Sequence, residues 1–174
     1  MLERHYVYKY CSPTRSSLMS GRLATHVNQN NRNNDIEAAS GVDLRYTFLA
    51  QKMKQAGFYT SMIGKSHLGA RSPANLPINR GFDHHFGFLK GGEDHYSQGS
   101  GSQRGEGPGT VDLWDGHSLS NMTGIYSGYL YAEKAVQVIA NYSRTNAEYE
   151  QAGRAPYKGL FMYLAWHNTH TVCL

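Results

Sequence analysis

The chain has 174 residues, 40% of them hydrophobic, which supplies a real core for about one folded unit and argues against wholesale disorder. Its net charge of +4 is spread out with no run of lysine and arginine, which argues against nucleic acid as a partner. The longest apolar stretch, Leu160 to Trp166, is too short to span a membrane, the first residues lack a signal-peptide core, and two cysteines at opposite ends exclude a disulfide-rich scaffold.

In chain order, His5 to Tyr10 is rich in β-favouring residues and reads as a short strand. In the segment Cys11 to Arg22, Ser12 suits a helix N-cap, Pro13 the first helical position, and Gly21 the left-handed turn that closes the helix. Cys11 then stands at the mouth of a short helix, in the field of its N–H groups. Residues 26–41 are polar and Asn-rich, as in a surface loop. Helical spacing resumes at Leu44, Phe48, Leu49, Met53 and Ala56, with Gly57 as the stop. Phe58 to Ile63 reads as a strand running into Gly64-Lys65-Ser66-His67-Leu68-Gly69. Residues 97–110, with five glycines and a proline, read as a flexible Gly-rich loop. Gly128 to Tyr142 is helical through Leu130, Ala132, Ala135, Val136 and Ile139. Leu160 to Trp166 reads as a strand buried on both faces, ending at His167-Asn168-Thr169-His170.

Strand then helix, repeated, predicts an α/β fold with a parallel sheet covered by helices. Cys11, the pair Lys65 and His67, and His170 each follow the carboxyl end of a predicted strand, the edge where open α/β sheets bind ligands. Taken singly, each has an ordinary reading. Cys11 alone is a small buried hydrophobe, Lys65 a solvated charge, Arg15 half of a surface pair, and either histidine a hydrogen-bonded side chain. The combination is less ordinary, because Cys-x-Pro-x-Arg fixes three uncommon residues and arises by chance in this length less than about once in a hundred.

Cys11-Ser12-Pro13-Thr14-Arg15, followed by Ser20-Gly21-Arg22, resembles the signature of the type I sulfatases, and Gly64-Lys65-Ser66-His67-Leu68-Gly69 is similar to their second signature. Arg80-Gly81-Phe82-Asp83, Phe86-Gly87-Phe88 and Glu93-Asp94-His95-Tyr96-Ser97 resemble the arylsulfatase B, or N-acetylgalactosamine-4-sulfatase-like, group. Leu160 to His170 is similar to that group's strand leading to a catalytic histidine. The resemblance is weakest over residues 27–42 and 98–127. It departs from the pattern at Ser66, where tryptophan is usual, and after His170, where Thr171, Val172 and Cys173 replace an acidic residue and proline.

The resemblance implies an alkaline-phosphatase-like fold, a mixed and largely parallel sheet sandwiched by helices. It implies hydrolysis of sulfate monoesters with a divalent cation, usually Ca²⁺, and a formylglycine derived from Cys11 by a formylglycine-generating enzyme. By that match Cys11 is the nucleophile precursor and, once converted, a metal ligand. Arg15 steadies the converted group, Lys65 and His67 hold the sulfate, and His170 contacts the sulfate and the departing alcohol. The family's other metal ligands have no counterpart among these residues, so the expectation is a partial N-terminal catalytic domain over residues 1–174 with little activity of its own. A first strand and a downstream metal-ligand segment would then lie outside it. The substrate class implied is a sulfated small molecule or glycosaminoglycan. Asn121-Met122-Thr123 and Asn141-Tyr142-Ser143 are glycosylation sequons, compatible with the lysosomal or secreted location usual in the family. Two alternatives stay open: a non-catalytic protein that binds sulfated glycans, and a related phosphatase or phosphonate hydrolase.

Overall fold

A computed structural model of the chain describes residues 3–4, 6–27, 41–100, 110–168 and 170. Most of the Asn-rich loop, residues 101–109 of the Gly-rich segment, and Cys173 lie outside the described residues. The main sheet has five strands: β1 (Tyr59–Gly64), β2 (His84–Phe88), β5 (Leu113–Asp115), β6 (Ser118–Ser120) and β7 (Leu160–Ala165), in the order β6-β5-β2-β1-β7. A two-residue ladder between β3 (Gly99–Ser100) and β4 (Thr110–Val111) pins the two ends of the Gly-rich segment together. β2, β1 and β7 run parallel, while β5 and β6 form an antiparallel flank. This is the mixed, largely parallel sheet expected of an alkaline-phosphatase-like fold.

Alternation along the strands builds two cores. On one face Met62, Phe82, Phe161 and Tyr163 meet Met19 of α1 (Cys11–Ser20), and Phe48 and Ala50 at α3 (Leu49–Gln55). A single turn, α2 (Ala24–Val27), follows α1. On the opposite face Ile63, Phe86 and Phe88 pack with Leu130, Tyr131, Ala135 and Val138 of the long helix α4 (Ser127–Gln151), and Leu160, Met162 and Leu164 of β7 join them. Side chains two apart share a face, so one strand feeds both layers. Burial of these apolar groups, at roughly 25 cal/mol per Å², is the main force holding helices to sheet.

The centre of the sheet depends on glycine. Gly64 has φ 91°, and a Cβ there would stand 2.2 Å from the Ala165 carbonyl oxygen. A Cβ on Gly87 would lie 2.0 Å from the carbonyl oxygen of Gly64. Any larger residue forces backbone apart, so the close approach of β2, β1 and β7 requires both glycines.

Four local expectations need correction. Residues 6–10 form no ladder among the described residues; Tyr6 is 88% exposed, and β propensity without a neighbouring edge does not make a strand. α1 begins at Cys11 with Tyr10 as its cap residue, so Ser12 and Pro13 lie inside the first turn. The helix expected from Leu44 starts only at Leu49, because Arg80 donates to the carbonyls of Val42 and Tyr46 and fixes residues 42–46 as a turn. β7 is half-buried over most of its length, since it is the edge strand among the described residues. The Gly21 and Gly57 stops stand, with φ 66° and 91°. α4 runs nine residues beyond Tyr142.

Candidate functional site

Because β1 and β7 are parallel neighbours, their carboxyl ends deliver chain to the same rim. Three backbone bonds place the segment after β1: Lys65 N donates to Ala165 O at 3.0 Å, Ser66 N to Phe88 O at 2.9 Å, and His67 N to Leu89 O at 3.1 Å. His67 adopts φ 54°, a left-handed conformation unusual for a non-glycine residue. Strain of this kind persists where the surroundings over-determine it. α1 is tied to the same rim by Arg15, whose guanidinium donates to Lys65 O at 2.8 Å and to the Tyr163 hydroxyl at 3.0 Å.

The sequence-selected residues therefore converge. Cys11, a free and half-buried thiol in the first turn of α1, lies 3.7 Å from His170 Nε2. Lys65 and His67 are each 1% exposed. The ordinary reading of Lys65 as a solvated surface charge fails on that burial. Asn121 and Asn141 stand apart from this cluster, exposed in the turn after β6 and on α4.

Cationic and titratable groups dominate the electrostatics at this rim. Burial first, then Lys65, Arg15 and His170, hold His67 down at about 3, and both of its ring nitrogens are buried with no hydrogen-bond partner. His67 is thus a neutral imidazole at physiological pH. The sequence pattern points to His170 and gives no weight to His167. Yet His167 is 5% exposed and held at about 4 by burial, then His95, His170, Lys65 and Arg15, and its ring nitrogens also have no partner. Its ring lies 4.7 Å from that of His95 and 5.3 Å from that of His170. Its place directly after the apolar run is the one sequence signal for it. Tyr163 gives no such signal, being hidden inside the apolar run that it helps to form.

A hard cation wants several oxygen ligands. Among the described residues no group of three histidine, cysteine, aspartate or glutamate side chains is disposed to hold a metal ion. Around Cys11 stand a guanidinium, an ammonium and imidazoles, so this donor set does not fit Ca²⁺.

Burying neutral histidines makes the fold acid-sensitive. His67 and His85 sit at about 3 and His167 at about 4, below the unfolded value of 6.5. Between those values the unfolded chain binds more protons, so stability is full above 6.5 and falls as pH drops toward 3. Glu93, raised by burial to about 7 from 4.5, acts in the opposite sense, losing stability as pH rises through that interval. With four histidines lowered by burial, His84 among them, against one raised glutamate, the melting temperature is expected to fall between pH 6.5 and 4, and His85→Gln to flatten that slope. A melting temperature that rises on acidification contradicts it.

Comparison with known proteins follows the same direction. A sequence profile of the family described as Sulfatase matches residues 1–172. Arylsulfatase J of Mus musculus is 30% identical over 174 residues, covering 98% of this chain and 26% of its own length. Arylsulfatase G of Canis lupus familiaris is 43% identical over 83 residues, covering 48% of this chain and 15% of its own. Among solved structures, Ps i-CgsB in complex with k-i-k-neocarrahexaose superposes with a TM-score of 0.68 at 23% identity, over 92% of this chain and 35% of that one. The chain thus spans between 15% and 35% of the length of these three proteins. No helix among the described residues is long and apolar enough to cross a membrane.

Proposed function

The chain belongs to the sulfatase family, and from that membership we propose that the full-length protein hydrolyses sulfate monoesters at the rim formed by β1, β7 and α1. The observation that carries this reading is the meeting of Cys11 with His170 at 3.7 Å, beside buried Lys65 and His67 and the tethered Arg15. Cys11 suits conversion to formylglycine, being a free thiol at a helix start, and that group when formed supplies the oxygen nucleophile.

The residues of this chain do the rest. Negative charge grows on the sulfate oxygens and the bridging oxygen as the S–O bond breaks. Buried Lys65 and half-buried Arg15 hold fixed positive charge toward those atoms, where low exposure of Lys65 limits screening by water. Neutral His67 offers one N–H donor to a sulfate oxygen, which orients the sulfate without adding charge. His170, half-exposed and next to Cys11, is positioned to donate a proton to the departing alcohol. No step here runs through a metal ion, since the described residues do not fit one.

The motifs Arg80 to Asp83 and Glu93 to Ser97 support placement near the arylsulfatase B group, although the relatives above are arylsulfatases J and G. Exposed Asn121 and Asn141 support a lysosomal or secreted glycoprotein. The cation-rich, carboxylate-poor surroundings of Cys11 also favour a second reading, capture of sulfated glycans without turnover.

Expression of the full-length protein with a formylglycine-generating enzyme separates these. The peptide spanning Cys11 should lose about 18 Da relative to cysteine on conversion. 4-Nitrophenyl sulfate should be cleaved with a higher kcat/KM than 4-nitrophenyl phosphate. An unmodified Cys11 with sulfated-glycan binding and no hydrolysis favours the binding reading, and faster phosphate cleavage favours a phosphatase.

A further inference from the structure

The face beside His170 is built from tyrosines. Tyr126, the residue preceding α4, has its ring 5.3 Å from Tyr129, 5.6 Å from Tyr96 and 5.1 Å from His95. Its hydroxyl accepts a hydrogen bond from Asn168 Nδ2 at 2.7 Å, two residues before His170. Through His95 and His167 the same ring contacts lead to His170 and so to Cys11. Tyr96 and Tyr129 are 58% and 73% exposed, a large aromatic area that the described chain leaves uncovered.

The loops that carry this cluster are tied together. Buried Gln98 donates from Nε2 to Tyr96 O at 3.0 Å and to Ile125 O at 2.9 Å, joining the two loops that carry the rings. Gly124 N donates to Tyr96 O and Ser127 N to His95 O, each at 2.8 Å. Tyr126 lies against Gly128, where a Cβ would stand 2.5 Å from its Cε1. The absence of a side chain at Gly128 is what seats the ring. A ring seated in this way binds at low entropic cost.

We propose that Tyr96, Tyr126 and Tyr129 form a saccharide subsite, which stacks on the rings of a sugar chain whose sulfated residue lies at His170. This rests on the sulfate-ester reading, because it is the anion pocket that places the rest of the ester over the adjoining face. The rings are inclined by 47° and 77° to Tyr126, so the surface is stepped, unlike the flat slot that a planar aryl group would fill. A sugar ring matches it with an apolar C–H face and a rim of hydroxyls, and tyrosine offers the complementary ring and hydroxyl. Three rings are too small a patch for a stable protein partner, which buries at least about 1,000 Å².

The test uses the full-length protein, 4-nitrophenyl sulfate and a sulfated oligosaccharide. In Tyr96→Ala with Tyr129→Ala, the ratio of kcat/KM for the oligosaccharide to that for the aryl sulfate is expected to fall about tenfold, through KM. Tyr96→Phe with Tyr129→Phe should restore the ratio, because stacking survives the loss of the hydroxyls. An unchanged ratio, including equal losses on both substrates, overturns the subsite and leaves the sulfatase reading standing. Hydrolysis of the aryl sulfate alone by the unaltered protein also overturns it. Hydrolysis of neither substrate defeats the sulfatase reading, and the subsite falls with it.

Discussion

Cys11→Ala in the full-length protein is expected to lower kcat for sulfate esters by about 10⁴-fold or more, as removal of a covalent nucleophile does elsewhere. The side chain is half-buried and its one described polar contact is the 3.7 Å approach to His170, so the fold should tolerate the change. The melting temperature should therefore stay close to that of the unaltered protein, since losses at half-buried sites are about 1 kcal/mol. Paired measurement of kcat and thermal unfolding separates loss of chemistry from loss of structure. A variant that keeps more than about 1% of kcat shows that the thiol position does not carry the reaction. Inactivity accompanied by a collapsed melting temperature assigns Cys11 a packing role instead.

Much of this site is legible in the sequence because its residues sit at strand ends and on a short helix, where local sequence marks position well. Phe58 to Ile63 reads as a strand and Leu160 to Trp166 as an apolar run, and the polar residues that follow each fall on the rim by topology alone. Gly21 and Gly57 announce their turns through the backbone freedom those turns need.

Other parts are not legible, for physical reasons. β2 reads His84-His85-Phe86-Gly87-Phe88, with a glycine and two histidines where a central strand would be apolar. Only the Gly64 contact explains Gly87, and that contact joins residues far apart in the chain. β5 and β6 are three residues each, below the length at which alternation shows. His5 to Tyr10 misleads in the other direction, because a strand is stabilised by its neighbour and the described residues give it none. The importance of His167 comes from burial beside cationic and titratable groups, which is a property of the fold.

The second large effect concerns Lys65, which separates the cost of the pocket from its use. An ammonium 1% exposed, close enough to depress His67 and His167, is an expensive arrangement for a stable core. Lys65→Met keeps an unbranched side chain of similar length and removes the charge. The new side chain fills the same space, so the melting temperature is expected to change by no more than a few degrees. The value for His67 should climb from about 3, because Lys65 is the largest influence on it after burial. Turnover should fall steeply, with kcat/KM for sulfate esters down by about 10³-fold, the scale set by losing one fixed charge-stabilising group. Calorimetry, histidine NMR titration and steady-state kinetics on one variant read all three. Stability kept with activity lost is what a charge held for binding an anion produces. Lower stability with activity retained would make Lys65 a structural residue, and the anion pocket would have to be drawn without it.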